Sequence, residues 1–332
     1  MDSSLVPVGA AVPEGATLSM DPLAVDYGPG LVAGGSPWRL LRLSGVARGA
    51  VERWRSGGSV EAGDGRLARS LVDAGLFFVE GDPDTRVDDV DVVVPVRDDP
   101  ERLDRLLTAL VGLHVTVVDD ASHDAPAVVA VATNAGARLV RRDASGGPGA
   151  ARNSGARATS RPLVWFIDAD VQVGDARDVV ARLRAPLADP RVGVVAPRVV
   201  GAAGLSQRDR FEARFSPLDQ GPRDALVRPG GAVGFVPAAC LLVRRDALGD
   251  GFDESMRVGE DVDLVWHAVE RGWLVRYVAS TVVQHHARDS WRAWWGQRRA
   301  YGRSSADLAA RHGSAAAPLG ADRWTLIAWG GA

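Results

Sequence analysis

Residues 163–170 read Leu-Val-Trp-Phe-Ile-Asp-Ala-Asp, a run of five apolar residues that ends directly in two carboxylates. A short apolar run rich in β-branched and aromatic residues predicts a buried strand. Asp168 and Asp170 then follow the carboxyl end of that strand, which is where open α/β sheets bind their ligands. This stretch therefore predicts both a sheet and the position of its binding site.

The segments around it repeat a rhythm of strand, helix and strand. Residues 92–94 and 114–118 are short apolar runs, and the leucines between 103 and 111 recur at helical spacing. Further strands are predicted at residues 137–140, 192–195 and 281–283, and further helices at residues 149–159, 261–272 and 291–312. The pattern predicts an α/β fold over residues 92–312, with a Rossmann-like, mostly parallel sheet and helices on both faces.

Acidic residues follow three of the predicted strands. They are Asp98 and Asp99, Asp119 and Asp120, and Asp168 and Asp170. A single acid at a strand end usually caps a helix. Three clusters at one edge repel each other unless a cation or several hydrogen-bond donors compensate. The pattern favours a divalent metal or a polyhydroxylated ligand.

The composition of the 332 residues excludes several classes of chemistry. All 39 cationic residues are arginine, so no lysine is present to form a Schiff base or to bind phosphate in a P-loop. The net charge of −3 offers no basic field for nucleic acid. The single cysteine, Cys240, excludes a disulfide framework and fits a cytoplasmic location. A nucleotide would have to be bound by acids, arginines, backbone groups and a metal.

Three further motifs each allow a structural and a functional interpretation. Residues 146–153, Gly-Gly-Pro-Gly-Ala-Ala-Arg-Asn, form either a flexible turn or a helix start from which Arg152 faces an anion. Glu260 and Asp261 open a helix, where acids complement the dipole or supply a general base. His285 and His286 are either a surface pair or a source of a metal ligand.

The remaining segments differ in character from the predicted sheet. Residues 1–17 are expected to be a flexible lead, residues 18–80 a small α+β module, and residues 81–91 a linker. Within the module, apolar residues from Ala47 to Trp54 have helical spacing behind Ser44, a candidate cap. Residues 313–332 form a tail, in which the uncharged stretch from Trp324 to Trp329 is expected to begin a membrane-associated segment.

Taken in order, five motifs resemble those of the family-2 inverting glycosyltransferases with the GT-A fold. They are VVVPVRDD, VVDDASHD, GGPGAARNSG, FIDAD, and GFDESMRVGEDVDL followed by VVQHH, between residues 90 and 290. The resemblance implies that a UDP-sugar is held by Asp120 at the uracil and by Asp168 at the ribose, with Arg152 nearby and with Pro95, Arg97 and Asp98 beside it. It also implies that Asp170, with His285 or His286, binds Mn²⁺ or Mg²⁺, and that Asp261, next to Glu260, is the catalytic base. Arg97 stands where the family often has an aromatic residue.

A narrower resemblance is to the glycosyltransferases of mycofactocin biosynthesis, carried by residues 291–312 and by the N-terminal module. The module is similar to PqqD-like winged-helix domains, so it is interpreted either as a peptide-recognition unit or as a structural cap. The resemblance implies transfer of glucose from UDP-glucose to a peptide-derived redox cofactor, at the inner face of the cell membrane. Two alternatives are a rhamnosyl, galactosyl or other hexosyl transferase acting on a lipid-linked acceptor, and a non-catalytic sugar-nucleotide-binding protein.

Overall fold

Two groups of elements follow each other along the chain in the computed structural model, which describes residues 9–204, 206–286 and 290–313. The first group is β1 (Thr17–Met20), β2 (Val25–Asp26), β3 (Leu31–Gly34), β4 (Arg39–Arg42), α1 (Gly45–Arg55), α2 (Gly65–Asp73) and β5 (Phe77–Glu80). The second group is β6 (Val90–Val96), α3 (Pro100–Ala109), β7 (His114–Asp119), α4 (Ala125–Asn134), β8 (Arg138–Arg141), α5 (Pro148–Arg157), β9 (Leu163–Ile167), β10 (Val171–Gln172), α6 (Ala176–Arg184), a 3₁₀ turn (Ala185–Ala188), β11 (Val192–Gly201), α7 (Gln207–Phe215), β12 (Ala225–Leu226), β13 (Cys240–Arg244), α8 (Arg245–Leu248), α9 (Glu260–Glu270), β14 (Leu274–His285) and α10 (Trp291–His312).

The first group forms a small module of two helices and two antiparallel sheets. β1 pairs with β5, and β3 lies between β2 and β4. Helix α1 buries the predicted apolar stripe, and the hydroxyl of Ser44 accepts from the backbone N–H of Ala47 at 3.3 Å. The described part of the expected flexible lead also packs here, because Val12 is buried and its N–H donates to Gly65 O. The lead is therefore ordered from at least Val12 onward.

The second group builds one large sheet in the order β10, β14, β11, β13, β9, β6, β7, β8. Strands β8, β7, β6 and β9 are parallel, as are β11 and β14, whereas β13 and β10 run against their neighbours. The predicted α/β class with a mostly parallel sheet is confirmed. β11 and β14 are longer than predicted because they pair with each other from Val192 to Gly201, across a register shift at Pro197.

Both faces of the central strands are buried, which explains their continuous apolar runs. Along β6 and β9, Val92, Val94, Trp165 and Ile167 belong to one core, and Val93, Val164 and Phe166 belong to the other. Gly155 of α5 permits the second core to close, because a Cβ there would lie 2.3 Å from a methyl of Val93. Gly155 thus allows α5 to pack directly on β6 and β7, the strands that lead into two of the acidic clusters.

The module is fixed to the large sheet by buried charges. Arg69 of α2 donates to both carboxylate oxygens of Asp189 at 2.9 and 2.8 Å, and both side chains are almost fully buried. The Arg276 guanidinium of β14 lies 3.5 Å from the ring centroid of Phe78 in β5. The predicted linker is also tied down, since Asp84 pairs with Arg184 at 3.0 Å. These contacts set the module in one position relative to the sheet.

No helix in the described part of the chain has the length and apolar character needed to cross a membrane. The stretch from Trp324 to Trp329, for which a membrane-associated segment was expected, lies outside the described residues.

Candidate active site

The acidic clusters converge where the parallel strands end. Asp120 after β7 and Asp168 and Asp170 after β9 line one cavity of 380 Å³, together with Pro95 of β6 and Arg97. The cavity continues into a second one of 420 Å³, which Asp168 and Asp170 share with Glu260 and Asp261 of α9. Most of the residues predicted from the sequence therefore meet along one continuous cleft.

Asp120 is held by a dense set of hydrogen bonds at the inner end of this cleft. Its carboxylate accepts from the N–H groups of Gly146 and Gly147 at 3.0 and 2.9 Å, from the Ser145 hydroxyl at 2.8 Å and from Arg142 at 2.8 Å. Burial disfavours the charged form, but these donors outweigh it and lower the pKa of Asp120 below its usual value. Asp120 is therefore a fixed anion whose two oxygens are oriented by the start of α5.

Arg152 lies deeper than the sequence indicated. Its guanidinium is almost fully buried and donates to Asp168 Oδ1 at 2.6 Å and to Glu260 Oε1 at 2.9 Å. The anions that Arg152 faces are thus two carboxylates of the site, one from β9 and one from α9. This bridge couples Asp168 to the acidic start of α9.

The two acids that open α9 have different environments. Glu260 is buried, and that burial, together with the neighbouring charge of Asp261, raises its pKa to about 7 despite the opposing effect of Arg152. Asp261 is half-buried, accepts from the N–H of Ala238 at 3.3 Å and lines the 420 Å³ cavity. Both acids line the 420 Å³ cavity, but Arg152 donates to Glu260 and not to Asp261.

Asp170 and the two histidines at the end of β14 are brought together by the pairing of β10 with β14. His285 Nε2 lies 3.3 Å from Asp170 Oδ2, and both side chains line the 420 Å³ cavity. The His286 side chain lines a different cavity, beside Arg102 and Arg105, and burial together with these charges lowers its pKa. A carboxylate oxygen and an imidazole nitrogen at this separation suit a divalent ion such as Mn²⁺.

The residues predicted after β6 divide between the cleft and the surface. Arg97 donates to the Ser145 hydroxyl at 2.9 Å and remains half-exposed at the cavity wall. Asp98 accepts from the His123 N–H at 2.6 Å, and its other oxygen lies 2.9 Å from His123 Nδ1. These bonds lower the pKa of Asp98. Asp99, rather than Asp98, lines the 380 Å³ cavity.

Several residues that position the site were not singled out from the sequence. Asn153 of α5 accepts from Phe252 N at 2.9 Å and donates to Phe252 O at 2.8 Å, which fixes the loop that leads into α9. Arg257 in that loop is exposed and lines both the 380 and the 420 Å³ cavities. Asn153 lies within the glycine-rich motif and Arg257 within the motif GFDESMRVGEDVDL, so in both cases membership of a motif was the available signal.

Helix α10 closes the far side of the cleft. Gln297 and Tyr301 line the 420 Å³ cavity, and Tyr301 and Leu308 line an apolar cavity of 290 Å³ that also borders Asp261. At the end of the helix, His312 lies 2.9 Å from both Asp263 Oδ1 and Glu270 Oε1. Since both acids belong to α9, this contact holds α10 against the helix that carries Asp261.

The sequence matches the profile of glycosyl transferase family 2 over residues 91–252. The chain is 38% identical over 325 residues to the pre-mycofactocin glycosyltransferase of Mycobacterium tuberculosis, which covers 96% of this chain and 68% of that protein. It is also 48% identical over 61 residues to the N-acetylglucosaminyl-diphospho-decaprenol L-rhamnosyltransferase of the same organism, across 18% of this chain and 20% of that protein.

Among solved structures, the fold is similar to a mannosyltransferase from Pyrobaculum calidifontis in complex with GDP-mannose and Mn²⁺. The TM-score is 0.48 at 21% identity, over 76% of this chain and 81% of that one.

Proposed function

Because this chain belongs to glycosyl transferase family 2, we propose that it transfers a sugar, glucose in the first instance, from a UDP-sugar to a peptide-derived acceptor of the mycofactocin type. The observation that carries the proposal is the cleft in which Asp120, Asp168 and Asp170 face Asp261. The likeness to pre-mycofactocin glycosyltransferase extends over 96% of the chain and includes the N-terminal module.

The donor would lie along the 380 Å³ cavity. Asp120 would contact the uracil, and because its two oxygens already accept four hydrogen bonds, the uracil ring N–H would have to replace one of these donors. Asp168 would accept from a ribose hydroxyl, and Pro95 and Arg97 form the adjoining wall. Arg152 would hold Asp168 in place rather than contact the diphosphate, because its guanidinium is already engaged by two carboxylates.

The diphosphate would lie beside Arg257 and the metal ion that Asp170 and His285 would hold. Asp170 and His285 would hold the ion, and the chemistry that Mn²⁺ or Mg²⁺ supplies when bound is stabilisation of negative charge on the departing UDP. Arg257 is the exposed cation at the junction of the two cavities, so its guanidinium can reach the same oxygens.

Asp261 would act as the base that deprotonates the acceptor hydroxyl while that oxygen attacks the anomeric carbon. One base and a single displacement invert the configuration at that carbon, since no second carboxylate has to act as a nucleophile. Glu260, buried against Arg152, would keep the start of α9 in place and tune the charge around Asp261.

The N-terminal module would contribute to recognition of the peptide-derived acceptor, and the enzyme would act in the cytoplasm at the inner face of the membrane. A lipid-linked cell-envelope acceptor, with rhamnose or another hexose as donor, is the second candidate. The observation that favours it is the 61-residue likeness to a decaprenol-linked rhamnosyltransferase.

The test is release of the nucleoside diphosphate, UDP from a UDP-sugar or dTDP from dTDP-rhamnose, by the purified chain in the presence of Mn²⁺, with each acceptor class offered in turn. UDP-glucose with the mycofactocin precursor should release UDP and add a hexose mass to the precursor. A preference for dTDP-rhamnose and a decaprenyl-linked acceptor would instead support the second candidate. Absence of turnover with every nucleotide sugar and either acceptor would refute both.

A further inference from the structure

Aromatic side chains cluster on the outer surface where α7 meets the start of α10. Phe211 and Phe215 of α7 are 42% and 55% exposed, and Trp291 and Trp295 of α10 are 48% and 65% exposed. Phe211, Trp291 and Trp295 contact Trp294, which is buried beneath them, and Phe215 contacts Phe211. Their ring centroids lie 5.0 to 5.7 Å from the next ring in the cluster. Contiguous exposed rings of this kind mark an interaction surface.

The cluster is held rigidly from below. The buried carboxylate of Glu212 accepts from the Trp294 indole N–H and from Arg298. The Arg298 guanidinium also lies 4.9 Å from the Trp294 ring centroid. These contacts join α7 to α10, so the exposed rings are already held in place before a partner binds. Binding then costs little side-chain entropy.

The same two helices carry a strong positive charge. They contain eight arginines and three acids, in a chain whose net charge is −3. Arg210, Arg214, Arg292 and Arg299 are exposed, each within four residues of an exposed ring, and the Arg214 guanidinium lies 5.7 Å from the Phe215 ring centroid. Glu212 is buried and already paired. We call the four exposed rings and these four arginines the aromatic–arginine surface.

We propose that the aromatic–arginine surface binds the anionic headgroups of a phospholipid membrane. Tryptophan rings favour the boundary between headgroups and acyl chains, and exposed arginines are attracted to anionic lipid. Protein interfaces are also enriched in aromatic residues and arginine. The excess of eight arginines over three acids on these two helices favours a polyanionic plane, because such a plane offers a compensating anion to each exposed arginine.

This contact has a consequence for the cleft. The face of α10 opposite the exposed tryptophans supplies Gln297 and Tyr301 to the 420 Å³ cavity. A membrane bound at the aromatic–arginine surface would therefore lie within one helix diameter of the cavity that contains Asp261. The proposal itself does not depend on the identity of the sugar or the acceptor.

The test is co-sedimentation of the full 332-residue chain with vesicles of phosphatidylcholine alone and of phosphatidylcholine with phosphatidylglycerol. The chain should bind the anionic vesicles and be released as salt is raised. Trp291→Ala/Trp295→Ala should weaken binding at least tenfold. Each of Arg292→Glu and Arg299→Glu should weaken it about fivefold or more. Trp38→Ala and Arg66→Glu, at exposed positions of the N-terminal module, are the matched controls and should bind as the parent chain does.

Three outcomes would overturn the proposal. The first is failure of the parent chain to bind anionic vesicles at low salt. The second is binding by the double tryptophan variant equal to that of the parent, which would assign the contact to another part of the chain. The third is that the parent chain does not bind vesicles and that Trp291→Ala/Trp295→Ala has a lower molecular mass in solution than the parent. This result would make the surface an interface between two copies. Circular dichroism of each variant checks that the fold is retained.

Discussion

The Arg152 guanidinium donates to Glu260 Oε1 at 2.9 Å, and through its second nitrogen to Asp168 Oδ1 at 2.6 Å. One buried cation therefore joins the strand end that carries Asp168 and Asp170 to the helix that carries the candidate base. Despite this partner, burial and the charge of Asp261 raise the pKa of Glu260 to about 7. The start of α9 therefore takes up or releases a proton near neutral pH.

This raised pKa predicts a pH-dependent effect of Glu260→Gln on stability. Below the ordinary pKa of a glutamate, Glu260 is protonated whether the chain is folded or unfolded. Between that value and about 7 the unfolded chain has lost the proton while the folded chain retains it, so the parent protein loses stability as pH rises through this range. Glu260→Gln should therefore gain stability relative to the parent between pH 4.5 and 7.

Urea denaturation of both proteins at pH 4.5, 6 and 7.5 measures the effect. Glu14→Gln, at an exposed glutamate of the N-terminal segment, is the control for loss of a carboxylate. A difference between Glu260→Gln and the parent that stays constant across these pH values would show that Glu260 titrates as an ordinary surface acid.

Asp261→Asn should remove the base while leaving the donor site intact. Loss of a general base lowers kcat by about 10²- to 10⁴-fold. The KM for the UDP-sugar should change little, because the 380 Å³ cavity is lined by other residues. Steady-state UDP release gives both constants, and Asp246→Asn on the exposed side of α8 is the matched control. If Asp261→Asn retained more than a tenth of the parent kcat, another group would have to be the base.

The geometry distinguishes the two histidines at the end of β14. His285→Ala and Asp170→Asn should each weaken Mn²⁺ binding by more than about tenfold. Loss of a residue that only supports a metal ligand already weakens binding by about that factor, and these two residues would be ligands themselves. His286→Ala should have little effect, because its ring lines a separate cavity beside Arg102 and Arg105. Isothermal titration with Mn²⁺ in the presence of UDP measures the affinities directly. Weaker binding by His286→Ala than by His285→Ala would reverse the assignment.

The strand ends could be predicted from the sequence because a buried parallel strand must be apolar on both faces, and any acid that follows it has to lie at the sheet edge. Asp120, Asp168 and Asp170 were located in this way. The partner of Arg152 could not be predicted in this way, because Glu260 is 108 residues away and the contact depends on how closely α5 approaches α9. For the same reason the sequence could not separate His285 from His286. The extra length of β11 and β14 comes from their mutual pairing, which no local pattern reports.

Arg257→Ala should impair donor binding without disturbing the fold. Removing a charge-assisted hydrogen bond to a phosphate costs about 1.5–3 kcal/mol, so the KM for the UDP-sugar should rise roughly 10- to 150-fold. The melting temperature should be unchanged because the side chain is exposed. Arg66→Ala, also exposed but in the module, controls for loss of a positive charge. An unchanged KM would place the diphosphate away from this loop.

The bidentate pair of Arg69 and Asp189 predicts how firmly the module is docked. Both side chains are almost fully buried, so replacing one partner leaves the other charge with weaker compensation, Arg69 keeping Asp73 at 3.4 Å, and should lower the free energy of unfolding by about 3–5 kcal/mol. Arg69→Met and Asp189→Leu each test this, and the double variant should recover much of the loss because neither charge then remains. Arg182→Met, from a pair exposed on α6, should change stability little.

Urea denaturation monitored by tryptophan fluorescence measures these differences, since Trp54 lies in the module and Trp165 in the large sheet. A single cooperative transition in the parent that separates into two in Arg69→Met would show that this ion pair couples the two parts. If the double variant were no more stable than either single variant, the loss of stability would not come from an unpaired buried charge. It would come instead from hydrogen bonds that these side chains make to other neighbours. Arg69 Nε donates to Ala10 O at 3.0 Å, so loss of that bond is the specific alternative. Arg69→Lys, which keeps the charge but not the planar fork, then separates the two explanations.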